Sequence, residues 1–249
     1  MRRNELIARL RSQSFDVLII GGGIVGAGIA RDAAMRGLRV ALIEQGDFAG
    51  GTSSKTSKLI HGGLRYLEQG RLRLVAESLR ERHILHTIAP QLVWPMTFSI
   101  PVYRGDTRAP WKVACGLMLC DLLAMRFGIN RHRMMSRRGA MQHEPRLDPE
   151  GLRAMGTYVD CQMDDARLCL ANVLQAMAFG AVCCNHVKLL EFQKISGRIA
   201  AAYVEDRLSH ERFAIPASAV VNATGPWSDA IRRLSNPHAG TRLAPTKGI

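Results

Sequence analysis

Near the start of the chain, the pattern of hydrophobic and polar positions changes from that of a strand to that of a helix and back. An apolar run over 17–20 leads into three glycines, apolar and small residues then recur at helical spacing over 24–36, and a second apolar run covers 40–43. This order predicts a β-α-β unit, with a parallel sheet and a right-handed connection. Gly37 follows the helical stretch and is predicted to cap it.

The rest of the chain alternates between helical and strand patterns. Helical spacing over 64–89 predicts one long amphipathic helix or a broken pair, ended by Pro90. The other predicted elements are a strand over 94–103, a helix over 111–127, a basic and loop-rich stretch over 128–150, a helix from Asp164 or Asp165 to Phe179, and strands over 182–187, 189–194, 198–205, 212–215 and 219–223.

The glycines after the first strand have the spacing of a dinucleotide-binding turn. Gly21 allows the tight strand-to-helix turn, Gly23 allows a pyrophosphate to approach the backbone, and Gly26 allows the helix to pack closely on the strand. The N–H groups at the start of that helix favour phosphate binding. Glu44 ends the second strand, where its carboxylate can accept hydrogen bonds from a ribose and repels a 2′-phosphate.

Composition narrows the class of protein. The chain of 249 residues is 47% hydrophobic and 22% charged, which is typical of a globular protein with a sizeable core. Its net charge of +13 favours anionic partners, namely phosphate substrates, acidic lipid headgroups or nucleic acid. Nucleic acid is the least favoured of the three, because the chain has neither a recognised motif nor interleaved aromatic residues.

No secretory signal and no membrane-spanning run is found, so we expect a cytoplasmic protein. The six cysteines show neither C-x-x-C nor Cys/His ligand spacing, which predicts buried thiols in a reducing compartment and no metal site.

Residues 1–14 are basic and predict a short lead-in helix with Leu6, Ile7 and Leu10 on one face. That face could pack on the following domain, which is the more common arrangement, or lie on an acidic membrane surface. The second alternative would place the protein peripherally on the cytoplasmic face of the inner membrane.

A second turn motif follows the last predicted strand, where the segment V-N-A-T-G-P-W covers 221–227. Its small residues would let the backbone approach a bound cofactor at a second point. Together with the S-K-L-I-H-G-G-L-R-Y-L-E block over 57–68 and V-D-C-Q-M-D-D-A-R-L-C-L over 159–170, this motif resembles FAD-dependent glycerol-3-phosphate dehydrogenase. The resemblance extends over 15–249.

The resemblance implies an α/β fold: a Rossmann-like FAD-binding domain of the glutathione-reductase/D-amino-acid-oxidase type with a β-meander, interleaved with an incomplete substrate domain. Residues 15–90 and 165–230 would mainly bind FAD, and residues 91–164 and 240–249 would belong mainly to the substrate domain. The implied reaction oxidises sn-glycerol 3-phosphate to dihydroxyacetone phosphate by hydride transfer to FAD, and a quinone then takes the electrons.

The resemblance also implies site residues. Arg65 and Tyr66 are the candidate substrate-site residues, with His61 as a less secure third. The candidate cofactor-binding residues are Gly21, Gly23, Gly26, Glu44, Ser53, Ser54, Ser57, Lys58, Gly62, Gly63, Val187, Ala223, Thr224 and Gly225.

Chains of this family continue past the position of Ile249, so a strand over 244–249 would lack a partner within this chain. Three alternatives stay open: an enzyme completed by a missing C-terminal half or a second chain, a non-catalytic FAD- or ADP-binding remnant, or another FAD oxidoreductase acting on an amine or a 2-hydroxy acid. A homodimer is also compatible with the sequence.

Overall fold

A computed structural model describes residues 2–61, 64–124 and 131–244, and for Leu64 and Arg65 it describes the backbone alone. The chain divides into two units. Unit 1 comprises Met1–Thr56 and Asp165–Ile249, and unit 2 comprises Ser57–Asp164.

The elements, in chain order, are α1 (Arg3–Ser12), β1 (Phe15–Ile20), α2 (Ile24–Met35), β2 (Val40–Ile43), β3 (Leu59–Ile60), α3 (Leu64–Leu67), α4 (Leu72–Ile88), β4 (Val93–Tyr103), α5 (Pro110–Leu123), β5 (Arg133–Ser136), α6 (Arg137–His143), β6 (Leu152–Met163), α7 (Asp165–Ala178), β7 (Val182–Cys184), β8 (Val187–Ile195), β9 (Arg198–Asp206), β10 (Arg212–Asn222) and α8 (Ser228–Ser235). Short 3-10 turns cover Thr52–Ser54 and Gly225–Trp227.

Unit 1 is built on a six-stranded sheet in the order β7-β2-β1-β10-β9-β8. The strands β7, β2, β1 and β10 are parallel neighbours, whereas β8, β9 and β10 form an antiparallel meander. Alternate residues of β1 enter different cores, because side chains alternate across a strand. Leu18 lies in the core shared with α1, and Ile19 lies in the core shared with α2 and α7.

The predicted β-α-β unit and meander are confirmed, with two shifts in strand boundaries. β10 is a single strand where the pattern predicts two. The strand continues without a break while its pairing passes from β9 to β1. Residues 212–216 pair with β9, and residues 217–222 pair with β1. The strand predicted over 182–187 ends at Cys184, since His186 has a positive φ of 53° and turns the chain.

The N-terminal helix α1 packs on the sheet. Leu6, Ile7 and Leu10 are buried in the core with Phe15 and Leu18, and Leu10 is 0% exposed. A helix that lies on a membrane needs a free apolar face. The membrane-surface interpretation of residues 1–14 is therefore wrong for this face, and the lead-in helix is the observed arrangement.

Unit 2 is centred on the antiparallel pair β4 and β6, to which β3 and β5 add along β6. The helical stretch predicted over 64–89 is the broken pair α3 and α4, separated by Gly70 at φ 68°. Arg82 on α4 forms a buried ion pair with Asp160 on β6, with 2.5 Å between Nη1 and Oδ1.

Two sequence predictions concern unit 2. Residues 57–90, predicted to belong mainly to the FAD-binding part, pack in unit 2, because β3 pairs with β6 and the Arg82–Asp160 pair ties α4 to β6. Their part in FAD binding stays a prediction. The stretch predicted as loop-rich over 128–150 contains β5 and α6. The prediction missed them because strand pairing with β6, and not local periodicity, defines β5. The strand predicted over 244–249 lies outside the described residues beyond Ala244.

The cysteines are mostly buried, as predicted. Cys161, Cys169, Cys183 and Cys184 are buried, and burial raises the pKa of Cys183 to about 12, so that this thiol stays neutral. Cys115 is an exception, because it lies on an exposed position of α5. Within the described ranges, no His, Cys, Asp or Glu side chains are grouped to hold a metal ion. None of the described helices combines the length and apolar character needed to cross a membrane.

The close contact between the first turn of α2 and Gly21 predicts that a side chain at Gly26 destabilises the protein. A Cβ at Gly26 would lie 1.9 Å from the carbonyl oxygen of Gly21, whereas a Cβ at Gly28 would meet no atom within 4 Å. Gly26→Ala is expected to lower the free energy of unfolding by about 1–3 kcal/mol through overpacking. Gly28→Ala, on the same helix, should raise it by about 0.5–1 kcal/mol through helix propensity. Urea unfolding followed by circular dichroism measures both, and equal effects of the two variants would contradict the packing argument.

Candidate cofactor site

The glycine turn brings the end of β1 against the start of α2. Gly21 has a φ of 108°, a conformation that favours glycine, and a Cβ there would lie 2.6 Å from the carbonyl oxygen of Ala223. Gly26 contacts Gly21 from the first turn of α2. The three residues therefore meet at one point, where no larger side chain fits at either glycine.

The N-terminus of α2 opens toward this point. Its N-cap, Gly23, offers no side chain, and the hydroxyl of Ser53 instead accepts a hydrogen bond from the Ile24 N–H at 2.9 Å. A hydroxyl oxygen in this place shows that the helix end attracts an acceptor. A phosphate oxygen offers the same chemistry with a full negative charge.

Glu44 lies at the end of β2, as predicted, and is fixed by two backbone groups. Its Oε2 accepts a hydrogen bond from the Gly22 N–H and its Oε1 accepts one from the Gly46 N–H, both at 2.8 Å. A carboxylate offers about four lone-pair sites. The two backbone bonds hold its orientation and leave acceptor capacity for the hydroxyls of a ribose.

The turn after β10 reaches the same region. The Ala223 N–H donates to the Ile20 carbonyl oxygen at 2.8 Å, which joins this turn to the end of β1. Asn222 Oδ1 accepts hydrogen bonds from the N–H and the hydroxyl of Thr224, at 3.2 and 2.7 Å. Gly225 continues with a φ of 53°. A small-residue turn thus faces the glycine turn.

A cavity of about 980 Å³ lies between these elements of unit 1. The structure brings eight of the predicted cofactor-binding residues to its wall: Gly21, Gly23, Glu44, Ser53, Val187, Ala223, Thr224 and Gly225. Gly26 contributes by allowing the close approach of α2 to β1.

Several lining residues were not predicted. They include Gln45, Asp47, Arg207, Trp227, Ala230, Ile231 and Leu234. Trp227 stood in the motif over 221–227 and could have been included. Gln45 and Asp47 follow Glu44 directly, and the last three lie on α8, whose amphipathic spacing is readable in the sequence although no helix was predicted there. Arg207 has no comparable signal, because it comes from the turn after β9.

Five predicted cofactor residues remain. Ser54 is half-buried, and its hydroxyl donates to the Gly51 carbonyl oxygen at 3.4 Å. Ser57 and Lys58 are exposed residues of unit 2, and Lys58 has a positive φ of 57°. Gly62 and Gly63 lie outside the described residues.

Unit 2 has a cavity of its own, of about 740 Å³, and two of the predicted substrate-site residues, His61 and Tyr66, line it. The side chain of Arg65, in α3, lies outside the described atoms. Tyr158 also lines this cavity and stacks on Phe98 with 5.5 Å between ring centroids. Burial and the nearby Asp160 charge raise the pKa of Tyr158 to about 12, so its phenol is a neutral donor.

Comparison with known proteins defines the class to which this fold and site belong. Residues 16–249 match the FAD dependent oxidoreductase family, and the chain belongs to that family. FAD as the predicted cofactor and the predicted α/β fold are thereby confirmed at the level of the family.

Individual relatives are more specific. The chain is 39% identical over its whole length to the aerobic glycerol-3-phosphate dehydrogenase of Bacillus subtilis and 40% identical to that of Staphylococcus saprophyticus, and it covers 45% of each. A solved glycerol-3-phosphate dehydrogenase from Bacillus halodurans, complexed with FAD, superimposes with a TM-score of 0.74 at 33% identity, over 94% of this chain and 39% of that one. The chain thus spans less than half the length of these relatives, and the predicted resemblance is confirmed.

The contact between Ser53 and α2 supports a second prediction. Ser53→Ala leaves the Ile24 N–H without its acceptor and is expected to cost about 1 kcal/mol of stability, as for lost helix caps. Ser54→Ala is the matched control and should cost less, because the hydroxyl of Ser54 makes only a long hydrogen bond of 3.4 Å. Urea unfolding of the two variants is the measurement, and a larger loss for Ser54→Ala would refute the capping role.

Proposed function

We propose that the cavity of unit 1 holds the ADP part of FAD. The observation that carries this proposal is the position, on one cavity wall, of the Glu44 carboxylate and of the α2 N-terminus, whose Ile24 N–H donates to the Ser53 hydroxyl. The first suits ribose hydroxyls, and the second suits a pyrophosphate. A Cβ at Gly21 or Gly26 would collide with backbone, so the close approach needed by such a ligand is built into the turn.

In this proposal Gly23 and Ser53 bind the pyrophosphate, Glu44 binds the ribose, and the turn over 223–225 contacts the cofactor at a second point. Val187 contributes to the cavity wall. The further cofactor contacts proposed from the family resemblance are Ser54, Ser57, Lys58, Gly62 and Gly63.

The proposed activity is the oxidation of sn-glycerol 3-phosphate to dihydroxyacetone phosphate, with a quinone as the electron acceptor. The names of the relatives and their identity of about 40% support it. When bound, FAD supplies the acceptor for the hydride that leaves C2 of the substrate. Arg65 would bind the phosphate, because a guanidinium matches phosphate oxygens. Tyr66 would orient the C2 hydroxyl, and the imidazole of His61 would accept the proton that this hydroxyl loses.

A second candidate function is FAD binding without turnover. The observation that favours it is the cavity of about 980 Å³, whose lining residues all belong to unit 1, so that cofactor binding does not require the predicted substrate-site residues of unit 2.

One experiment separates the two candidates. The chain is reconstituted with FAD, and its visible spectrum is recorded anaerobically before and after addition of glycerol 3-phosphate. Bleaching of the flavin bands is expected if the chain turns over substrate, and bound flavin that stays oxidised supports the second candidate. Failure to retain any FAD would refute both.

Glu44 provides a direct test of the cofactor assignment. Glu44→Ala is expected to weaken FAD binding by about 1–3 kcal/mol, because hydrogen bonds to a charged group are lost. Glu191→Ala, an exposed carboxylate on β8, is the control and should bind FAD like the unchanged chain. Fluorescence titration with FAD gives both dissociation constants, and equal values for the two variants would mean that Glu44 does not hold the ribose.

A further inference from the structure

The helix α1 is joined to the rim of the cofactor cavity by one arginine. Arg3 Nη1 donates to the carbonyl oxygen of Asn185 at 2.8 Å and to its Oδ1 at 3.2 Å. Arg3 Nη2 donates to Asp206 Oδ1 at 2.6 Å. One guanidinium thus links the turn between β7 and β8 to the end of β9.

Further hydrogen bonds lead from the two residues that Arg3 contacts to the segment that follows Glu44. Asn185 Nδ2 donates to Asp47 Oδ1 at 2.9 Å, and Asp47 lines the cavity. Beside Asp206, Arg207 donates from Nη1 to the Gln45 carbonyl oxygen at 3.1 Å. Two separate chains of contacts therefore lead from Arg3 to segment 44–47.

Backbone hydrogen bonds complete the connection to Glu44. The His186 N–H donates to the Gly46 carbonyl oxygen at 2.9 Å, and the Val187 N–H donates to the Glu44 carbonyl oxygen at 2.8 Å. The Gly46 N–H in turn holds the Glu44 carboxylate. The orientation of that carboxylate thus depends on the turn to which Arg3 is bonded.

The Arg3–Asp206 pair is well placed to act as an anchor. The Asp206 side chain is 6% exposed and the Arg3 side chain is 26% exposed, so salt screens the pair less than a surface pair. Burial alone would raise the pKa of Asp206, but hydrogen bonds from the Leu208 N–H, Arg3 and Ser209 hold it below its usual range. The carboxylate therefore stays charged down to pH values below the usual aspartate range, and the anchor is lost only as the pH falls through this lowered pKa.

We propose that Arg3 is a positioning residue for the adenosine end of the cofactor. It acts through Asn185 and Asp206 on segment 44–47, and so on Glu44, without touching the ligand. This inference rests on the proposed function, in which the Glu44 carboxylate binds the ribose.

The test compares two arginines of α1. Arg3→Met removes the anchor. Arg11→Met is the matched control, because Arg11 also pairs with an acid at 2.6 Å. This substitution leaves in place the backbone hydrogen bond of 2.9 Å from the Asp206 N–H to the carbonyl oxygen of the partner Glu211. ADP is the probe, titrated calorimetrically into the 249-residue chain at a temperature well below the unfolding midpoint of either variant.

Arg3→Met is expected to raise the dissociation constant for ADP about fivefold or more, a typical coupling between linked sites. Arg11→Met should leave it unchanged. Arg3→Lys keeps the charge that faces Asp206 and should recover part of the affinity, which a loss of stability alone would not produce in fully folded protein. Should Arg3→Met fail to fold, Asn185→Ala leaves the Arg3–Asp206 pair in place and is expected to weaken ADP binding in the same direction.

The experiment distinguishes a failure of the proposed function from a failure of the positioning role of Arg3. If the unchanged chain does not bind ADP, the proposed function fails and this inference fails with it. If it binds ADP, and Arg3→Met and Asn185→Ala bind equally well, the positioning role alone is overturned. Equal weakening by Arg3→Met and Arg11→Met would likewise overturn it, because the effect would then come from α1 as a whole.

Discussion

The contact between Gly26 and the carbonyl of Gly21 is the constraint on which the cofactor site depends. It allows α2 to start directly at the end of β1, with its first N–H groups turned toward the ends of the parallel strands. In open α/β sheets ligands bind at this edge, beyond the carboxyl ends of the strands. Glu44 at the end of β2 and the turn after β10 reach the same place because β2 and β10 flank β1 in parallel.

Some of the arginines that make the chain basic form ion pairs within unit 1. Arg3 and Arg11, which belong to the basic start of the chain, pair with Asp206 and Glu211, and Arg39 pairs with Asp16. The two more exposed pairs, Arg11–Glu211 and Arg39–Asp16, contribute little to stability. Their positions nevertheless tie α1 and the turns of unit 1 to the sheet. Because each pair is neutral, the net charge of +13 resides on the other residues of the chain.

Unit 2 contains an ion pair whose two side chains are both buried. Arg82 and Asp160 are 5% and 3% exposed, and Arg82 Nη1 also donates to the Val159 carbonyl oxygen at 2.9 Å. Removing one partner of such a pair leaves an uncompensated charge, whereas an apolar pair of similar volume can be as stable. The pair joins α4 to β6 at a defined position, and Asp160 lies two residues from Tyr158 at the second cavity.

Local sequence determined the elements that carry their own signal. The glycine spacing, the apolar runs of β1 and β2 and the acid at Glu44 define the dinucleotide-binding unit, because each acts within a few residues of its neighbours. The tertiary structure alone decided what depends on distant partners. It buries the apolar face of α1, makes β10 one strand by a change of partner at Pro216, pairs β5 with β6, and brings Arg207 and α8 to the cavity. Periodicity reports which face of a segment is apolar, but only packing decides what covers that face.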